Sequence, residues 1–199
     1  EKNIFSFITD AGIYQKEMIK ADQLKVELFY RENGYINAKV LDPMINVDKN
    51  EKAIFIKIPV EEGDQYKTGK IGFIGDDTFP EKKLREKIDL KKGDVYNLRK
   101  IREGVFNIAE LYSQQGHAYA DVRPERVVNA PKRIVDTVLQ IDKGRKVYIG
   151  KITISGNLKT KDKVVRREFR FAEGSLFDSE KLRRSRERII NTRFFEDVQ

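Results

Sequence analysis

The stretch GKIGFIGD at residues 69–76 recurs 81 residues later as GKITISGN at residues 150–157. The same offset maps Gly93 onto Gly174 and Gly63 onto Gly144, so the period extends well beyond one short motif. A period of this length over most of a chain is typical of stacked copies of one small unit. Such arrays usually serve as spacers and docking surfaces, so the repeat indicates a binding protein more than an enzyme.

The composition argues against several kinds of functional site. The 199 residues include no cysteine, which excludes disulfides, thiolate catalysis and cysteine-ligated zinc. His117 is the only histidine, so an imidazole metal site is not expected. Asp76 and Asp77 fall in a predicted turn without a partner, and no grouping of nucleophile, base and orienting residue is recognisable. We therefore expect no enzyme, no metal and no cofactor.

The net charge of +8 is unevenly distributed. Residues 1–65 carry a net charge of −3, residues 66–145 carry +5 and residues 146–199 carry +6. A basic end of this kind suits an anionic membrane surface, a nucleic acid or an acidic partner. The alternative is a solvated helix face rich in lysine and arginine.

The central copy, residues 66–145, is the only complete one. Alternating apolar residues predict a strand over 71–75, and helical spacing predicts a first helix over 76–92. A second helix begins with Asn97 as its cap and ends at Gly116. Two strands follow, the first from Ala118 and the second over 134–141. Pro124 cannot donate to a sheet ladder, which predicts an edge position for the first of these two strands.

The predicted fold class is therefore α+β. Each repeat has the order β-α-α-β-β, with a three-stranded mixed sheet that two helices cover on one face. The first copy, residues 1–65, lacks the first strand and first helix. It retains a helix over 16–33, an edge strand over 36–47 and a third strand over 53–60, with Pro59 at an end or a bulge. Phe5, Phe7 and Ile8 are expected in its core.

The last copy, residues 146–199, lacks the last two strands. Its first strand is followed by predicted helices over 161–171 and 178–192. Because one strand cannot form a sheet alone, we expect this copy to be poorly ordered or to exchange partners. Chain-to-chain pairing through the incomplete terminal copies would satisfy the same need.

Three motifs of the last copy match a known pattern. They are GKITISGN at 150–157, RREF at 166–169 and EG at 173–174. Together they resemble the start of a POTRA domain. RFFEDV at 193–198 resembles the G-F-F-x-x-V element of that domain, with Arg193 in place of glycine. The other copies resemble preceding POTRA domains through Gly93, Tyr96, Gly116, 118–120 and 142–144, and through 14–16, Tyr30, 34–35 and 62–67.

The resemblance to tandem POTRA domains covers nearly the whole chain and implies a member of the Omp85 family. It implies a periplasmic arm on the inner side of the bacterial outer membrane, attached to a C-terminal membrane barrel that is absent from this chain. The expected function is that of an outer-membrane β-barrel assembly protein, with unfolded outer-membrane proteins as clients and accessory lipoproteins as partners. An alternative within the family is the arm of a transporter of the translocation-module or two-partner secretion type.

Exposed strand edges are the expected client-binding sites, because an extended segment can add to a free edge through main-chain hydrogen bonds. The alternative is that the prolines prevent such pairing. The candidate edge residues are Asn37, Ala38, Lys39, Val40, Met44, Ile45, Asn46, Val47, Ala118, Tyr119, Ala120, Asp121 and Val122.

A second candidate site lies near the end of a helix in the last copy. It comprises Arg166, Arg167, Glu168 and Arg170, which the resemblance assigns to docking of accessory lipoproteins. Alternating charge with arginine can pair selectively across an interface. The alternative is an ordinary solvated helix end.

Nucleic-acid binding is the main rival from another functional class. It would require aromatic residues on an exposed sheet face and binding that weakens steeply with salt. The apolar sheet positions are mostly aliphatic, so no nucleic-acid partner is expected.

Overall fold

A computed structural model describes residues 16–48, 53–157, 160–195 and 197–198. The predicted core residues Phe5, Phe7 and Ile8 lie outside the described residues. The elements in chain order are α1 (Lys16–Glu32), β1 (Lys39–Val40), β2 (Met44–Asp48), β3 (Ala53–Lys57), β4 (Val60–Glu61), β5 (Lys67–Ile74), α2 (Glu81–Arg85), α3 (Leu98–Ser113), β6 (Asp121–Asn129), β7 (Ile134–Asp142), α4 (Asp162–Arg166) and α5 (Ser179–Asn191). None of the described helices is long and apolar enough to cross a bilayer.

The chain divides into two compact units. The first comprises residues 1–71, 89–102 and 126–137, and the second comprises 72–88, 103–125 and 138–199. In the first unit, Tyr96, Ile101 and Val135 are almost fully buried. In the second unit, the same is true of Ile108 and Leu139. The boundaries of the three repeats do not coincide with these units, and the division at residues 65 and 145 stays a prediction.

The predicted β-α-α-β-β order of the central copy is confirmed, and its three strands form one sheet in the order β5-β7-β6. Lys67 N donates to Arg133 O at the start of β5, and the far end of β5 approaches Ile141 near Gly75, so β5 and β7 run parallel. The four-residue connection makes β6 and β7 an antiparallel hairpin. The sheet is therefore mixed, and β6, which contains Pro124, lies at an edge as predicted.

The first helices of the copies are shorter than predicted. The helix expected over 76–92 is reduced to α2, and the one expected over 161–171 is reduced to α4. The Asp76 carboxylate accepts from Thr78 N (2.9 Å), and this turn together with Pro80 delays the start of α2. The second helices agree with the sequence: Asn97 Oδ1 accepts from Lys100 N (2.9 Å) at the start of α3.

The first copy has two short ribbons where two continuous strands were predicted. β1 pairs with β4 and β2 pairs with β3, both antiparallel. Pro43 and Pro59 occupy the two interruptions, because a proline has no N–H to give to a ladder. Pro59 still accepts a hydrogen bond from Leu41 N (2.9 Å), and its predicted place at a strand end is confirmed.

The first strand predicted for the last copy is not formed. Within 147–157, the described contacts include one isolated bridge, between Tyr148 and Leu176. In the central copy, the equivalent strand β5 is supported by β7. No counterpart of β7 is found among the described residues of the last copy, so residues 147–157 have no strand to pair with.

Two joints in the chain repeat each other bond for bond. The first joint comprises residues 34, 66–68 and 93–96, and the second comprises 116, 147–149 and 174–177. The first contains the bonds Tyr66 N to Gly34 O (2.8 Å), Tyr96 N to Tyr66 O (2.9 Å), Thr68 N to Asp94 O (2.8 Å) and Gly93 N to Thr68 O (2.8 Å). The second contains Val147 N to Gly116 O (2.9 Å), Phe177 N to Val147 O (2.9 Å), Ile149 N to Ser175 O (2.8 Å) and Gly174 N to Ile149 O (2.7 Å).

A glycine at a helix end is necessary at each joint. Gly34 follows α1 with a φ of 87°, and Gly116 follows α3 with a φ of 93°, both in the left-handed region. Each glycine also makes room for an apolar side chain. A Cβ on Gly34 would lie 2.8 Å from Val95 Cγ1, and a Cβ on Gly116 would lie 2.5 Å from Leu176 Cδ1.

Arg193 occupies the corresponding place after α5. Its φ of 59° is also left-handed, and its N–H donates to Ile190 O (2.9 Å). The left-handed conformation found at Gly34 and Gly116 therefore occurs at Arg193 without a glycine. For a residue with a Cβ, this conformation costs roughly 1–2 kcal/mol of free energy.

Replacing Gly116 by alanine should destabilise the protein by about 2–4 kcal/mol, because backbone strain and overpacking against Leu176 add. Urea unfolding measures the loss. Gly174→Ala is the matched control, since Gly174 also has a left-handed φ (78°) but a Cβ there would meet none of the described atoms within 4 Å. The control should lose only about 1–2 kcal/mol. Equal losses in the two variants would contradict a packing role for Gly116.

Candidate functional site

The free edge of β6 is the most exposed strand surface of the central copy. Of its nine residues only Val122 is buried, and Val127 and Val128 are exposed. The predicted edge residues Asp121 and Val122 begin this strand. Ala118, Tyr119 and Ala120 lie before it, in a turn that Ala120 N closes by donating to His117 O (3.1 Å).

In the first copy, too, some of the candidate edge residues lie in a turn before the strand. Asn37 and Ala38 lie in a turn that Ala38 N closes by donating to Tyr35 O (3.1 Å), and Ala38 is buried. Lys39 and Val40 form β1. The remaining candidates, Met44, Ile45, Asn46 and Val47, lie in β2.

The β2–β3 ribbon exposes apolar side chains from both of its strands. Met44 and Ile45 are exposed on β2, and Ile54 and Phe55 are exposed on β3. Apolar side chains beside unpaired main-chain groups are the combination that an added strand requires. Among the described candidate residues, those in β2 and β6 therefore lie on strands with one hydrogen-bonded neighbour and one free edge. The turn residues at 37–38 and 118–120 lie outside the strands.

The four candidate docking residues lie at and after the C-terminus of α4. Arg166 Nη2 donates to Ile152 O (2.9 Å), and Arg167 Nε donates to Glu168 Oε1 (3.2 Å). Glu168 is largely buried, with 14% of its side chain exposed, whereas Arg167 is 65% exposed. Arg170 is exposed, and its main-chain N–H donates to Ser185 Oγ (2.7 Å) on α5.

Glu168 is occupied by its own chain. Arg188 on α5 donates to Glu168 Oε2 from Nε (3.1 Å) and from Nη2 (2.7 Å). The hydrogen bond from Arg188, aided by Arg167, holds the pKa of Glu168 below its usual range. Glu168 thus positions two guanidinium groups, and the outward charge of the cluster is carried by arginine.

Arg188 also belongs to a basic cleft that the sequence reasoning missed. The cleft has a volume of about 540 Å³ and is lined by Arg170, Lys181, Arg184, Glu187, Arg188 and Asn191. The signal was present in the sequence, because Lys181, Arg184 and Arg188 have the three- and four-residue spacing of one helix face. We call this feature the α5 cleft.

A second electrostatic network, around Asp76, was also missed. Its carboxylate, 8% exposed, accepts from Lys143 Nζ (2.7 Å) and Tyr112 Oη (2.9 Å) as well as from Thr78 N. Burial alone would raise the pKa of Asp76, but the bonds from Lys143, Thr78 and Tyr112 outweigh it and hold that pKa far below its usual range. Burial and the bond to Asp76 raise the pKa of Tyr112. Asp76 therefore links the end of β5 to α3 and to the segment after β7.

No group of three or more histidine, cysteine or carboxylate side chains suited to a metal occurs in the described part of the chain.

A scan of family models matches this chain at residues 2–63, 66–144 and 147–199. The matching family is POTRA, described as "Surface antigen variable number repeat".

Curated relatives cover the whole chain. It is 34% identical over 200 residues to "Outer membrane protein assembly factor BamA" of Neisseria meningitidis serogroup B, and 33% identical over 202 residues to the protein of the same name from Nitratidesulfovibrio vulgaris. Each match includes 100% of this chain and 25% of the relative. The chain therefore spans about a quarter of the length of these relatives.

Solved structures share the fold. A crystal structure of Haemophilus influenzae BamA POTRA3-5 superposes with a TM-score of 0.78 at 22% identity, covering 94% of this chain and 74% of that one. The structure of BamA from Haemophilus ducreyi lacking POTRA domains 1–3 gives a TM-score of 0.58 at 25% identity, covering 67% of this chain and 25% of that one. The α+β fold predicted from the sequence, and the resemblance to tandem POTRA domains, are confirmed.

Replacing Asp76 by asparagine should lower the free energy of unfolding by about 1.5–3 kcal/mol at pH 7, because charged hydrogen bonds in a buried site are lost. The folded-state pKa lies below the unfolded value of about 3.9, so this contribution is present above pH 4 and is lost as the pH falls below it. Urea unfolding between pH 7 and pH 3 should show the two proteins converging. Asp77→Asn, at an exposed neighbour, should change little at any pH. A constant gap between wild type and Asp76→Asn across this range would contradict the role of Asp76.

Proposed function

Because the chain belongs to the POTRA family, we propose that it is part of the periplasmic arm of an outer-membrane β-barrel assembly protein. In this proposal the arm receives unfolded outer-membrane proteins at strand edges and docks accessory lipoproteins near α4. Its successive repeats are residues 1–65, 66–145 and 146–199. The assembly-factor names of the relatives favour this role over that of a transporter arm.

The observation that carries client binding is the free edge of β6. The strand has nine residues, one neighbour and almost complete exposure. An extended client segment can pair with its outward main-chain groups while its side chains remain free to vary, which suits clients of many sequences. Pro124 removes one donor from the strand and leaves its carbonyl as an acceptor.

The composition of the exposed strand surface supports a protein client over a nucleic acid. β6 presents valine and charged side chains, such as Val127, Arg123 and Glu125, where a base-stacking surface would need aromatic rings.

A photo-cross-linker in place of Glu125, within β6, should capture an unfolded outer-membrane protein through the edge. The control places the same group at Glu103, an exposed glutamate on α3. We expect several-fold more product from position 125, and the product should be lost when the client is already folded, since its strands are then paired. Equal yields from the two positions would argue against client binding at this edge.

The proposed docking surface comprises Arg166, Arg167, Glu168 and Arg170. Arg167 is the most accessible of the ion-paired members, and Glu168 acts on it and on Arg188 as a positioning residue. A partner presenting carboxylates or main-chain carbonyls could receive bidentate hydrogen bonds from these guanidinium groups. Glu168 is largely buried, and its positioning role does not require it to touch the partner.

Reversing the charge of Arg167 with Arg167→Glu should lower co-purification of the accessory lipoproteins roughly tenfold, equivalent to about 1.4 kcal/mol of binding free energy. The variant's melting temperature should change little, because Arg167 is largely exposed. Arg183→Glu is the matched control, since Arg183 is 59% exposed on α5 and also has one carboxylate neighbour. Recovery that falls equally in both variants, or in neither, would count against this docking surface.

A further inference from the structure

The α5 cleft has a fixed wall on each side. One wall is α5, and the other is the segment at Arg170, whose main-chain N–H donates to Ser185 Oγ (2.7 Å). Ser185 is buried and its hydroxyl in turn donates to Lys181 O (2.7 Å) on the same helix. These bonds use main-chain atoms of Arg170 and Lys181, so the two cationic side chains take no part in them.

The carboxylates that neighbour the cleft do not neutralise all of its positive charge. Three of its cations have carboxylate neighbours from outside the cleft: Lys181 pairs with Asp178, Arg184 with Glu180 and Arg188 with Glu168. Its own carboxylate, Glu187, is held by Arg183 (2.7 Å), which does not line the cleft. Within the described part of the chain, Arg170 has no carboxylate in ion-pair contact.

A phosphate group matches these donors. Each guanidinium has five N–H donors in a planar fork, and one carboxylate partner leaves several of them unused. Arg188 gives two donors to Glu168, and Arg184 Nη2 contacts Glu180. The remaining donors of Arg170, Arg184 and Arg188 border one open volume, where a tetrahedral oxyanion can accept from more than one residue.

We propose that the α5 cleft binds the phosphate of an anionic phospholipid at the periplasmic face of the outer membrane, an inference that rests on the function proposed above. Five of the eight residues from Lys181 to Arg188 are lysine or arginine. The helix buries Ile189 and exposes Leu182 and Ile190. A cluster of basic residues on an amphipathic helix is typical of binding to anionic lipid surfaces. The described residues that line the cleft include no aromatic ring for base stacking, which disfavours nucleic acid.

Co-sedimentation of the purified chain with vesicles tests the proposal. Vesicles of phosphatidylglycerol mixed with phosphatidylcholine should bind the chain, and vesicles of phosphatidylcholine alone should not. The variant Lys181→Gln/Arg184→Gln removes two cations from the cleft, spares the proposed docking residues and leaves the main-chain bond from Arg170 to Ser185 in place. It should bind roughly 25-fold more weakly, because each cation near an anionic surface contributes about fivefold.

The matched control is Arg183→Gln/Arg186→Gln, which removes the same charge from the same helix outside the cleft lining. It should lose less than about fivefold, and melting curves should show both variants folded. Equal losses would overturn the proposal in favour of diffuse attraction. Displacement of the vesicles by millimolar inorganic phosphate would overturn it in favour of a free-phosphate site. Tighter binding to a single-stranded oligonucleotide at the same ionic strength would overturn it in favour of nucleic acid.

Client cross-linking from position 125 separates this proposal from the function on which it rests. The cleft variant should cross-link clients as wild type does, since β6 does not line the cleft. Normal cross-linking without selective vesicle binding would overturn the lipid site and leave the assembly function standing.

Discussion

The absence of a side chain at two helix ends is the constraint on which the two joints depend. A left-handed residue after α1 and after α3 turns its carbonyl toward the N–H of Tyr66 or Val147, and only glycine does this while leaving space for Val95 or Leu176. Each joint adds three further main-chain bonds, and one of them is donated by a second glycine with a left-handed φ, Gly93 or Gly174. Two glycines and a set of main-chain bonds therefore define each joint, which explains how the joints keep the same hydrogen bonds while most of their other residues differ.

The features of the fold that depend on local chemistry could be predicted from the sequence. Glycine spacing and helical periodicity predicted the element order, the caps and the edge position of β6, because each depends on local chemistry or on a residue that lacks an N–H or a Cβ. The predicted lengths of α2 and α4 were wrong. For α2, the Asp76 turn and Pro80 override apolar spacing that would have permitted a longer helix. The prediction of strand at 37–38 and 118–120 was wrong because small alternating residues are compatible with a turn as well as with a strand.

The candidate sites were predictable to a smaller extent, since they depend on contacts between distant residues. The sequence predicts Asp76 in a turn without a partner. Its partners Tyr112 and Lys143 lie 36 and 67 positions further along the chain, so no local sequence pattern indicates them. The sequence predicts Glu168 as an exposed member of a segment of alternating charge. Arg188, 20 residues further along the chain, turns it into a largely buried anchor. In both cases the sequence identifies the carboxylate but not the distant partner residues that determine its role.

The last copy shows how this pairing shapes its surface. From the sequence alone, its surplus of positive charge is also compatible with a solvated helix face rich in lysine and arginine. In the structure Glu168, Asp178, Glu180 and Glu187 each contact at least one cation, and these contacts hold the side chains of Arg188, Lys181, Arg184 and Arg183 beside them. Partial neutralisation lowers the repulsion that would otherwise open the α5 cleft, while unused N–H donors and Arg170 keep it attractive to an anion. The acidic residues of this copy are therefore best understood as supports that allow several arginines to share one small surface.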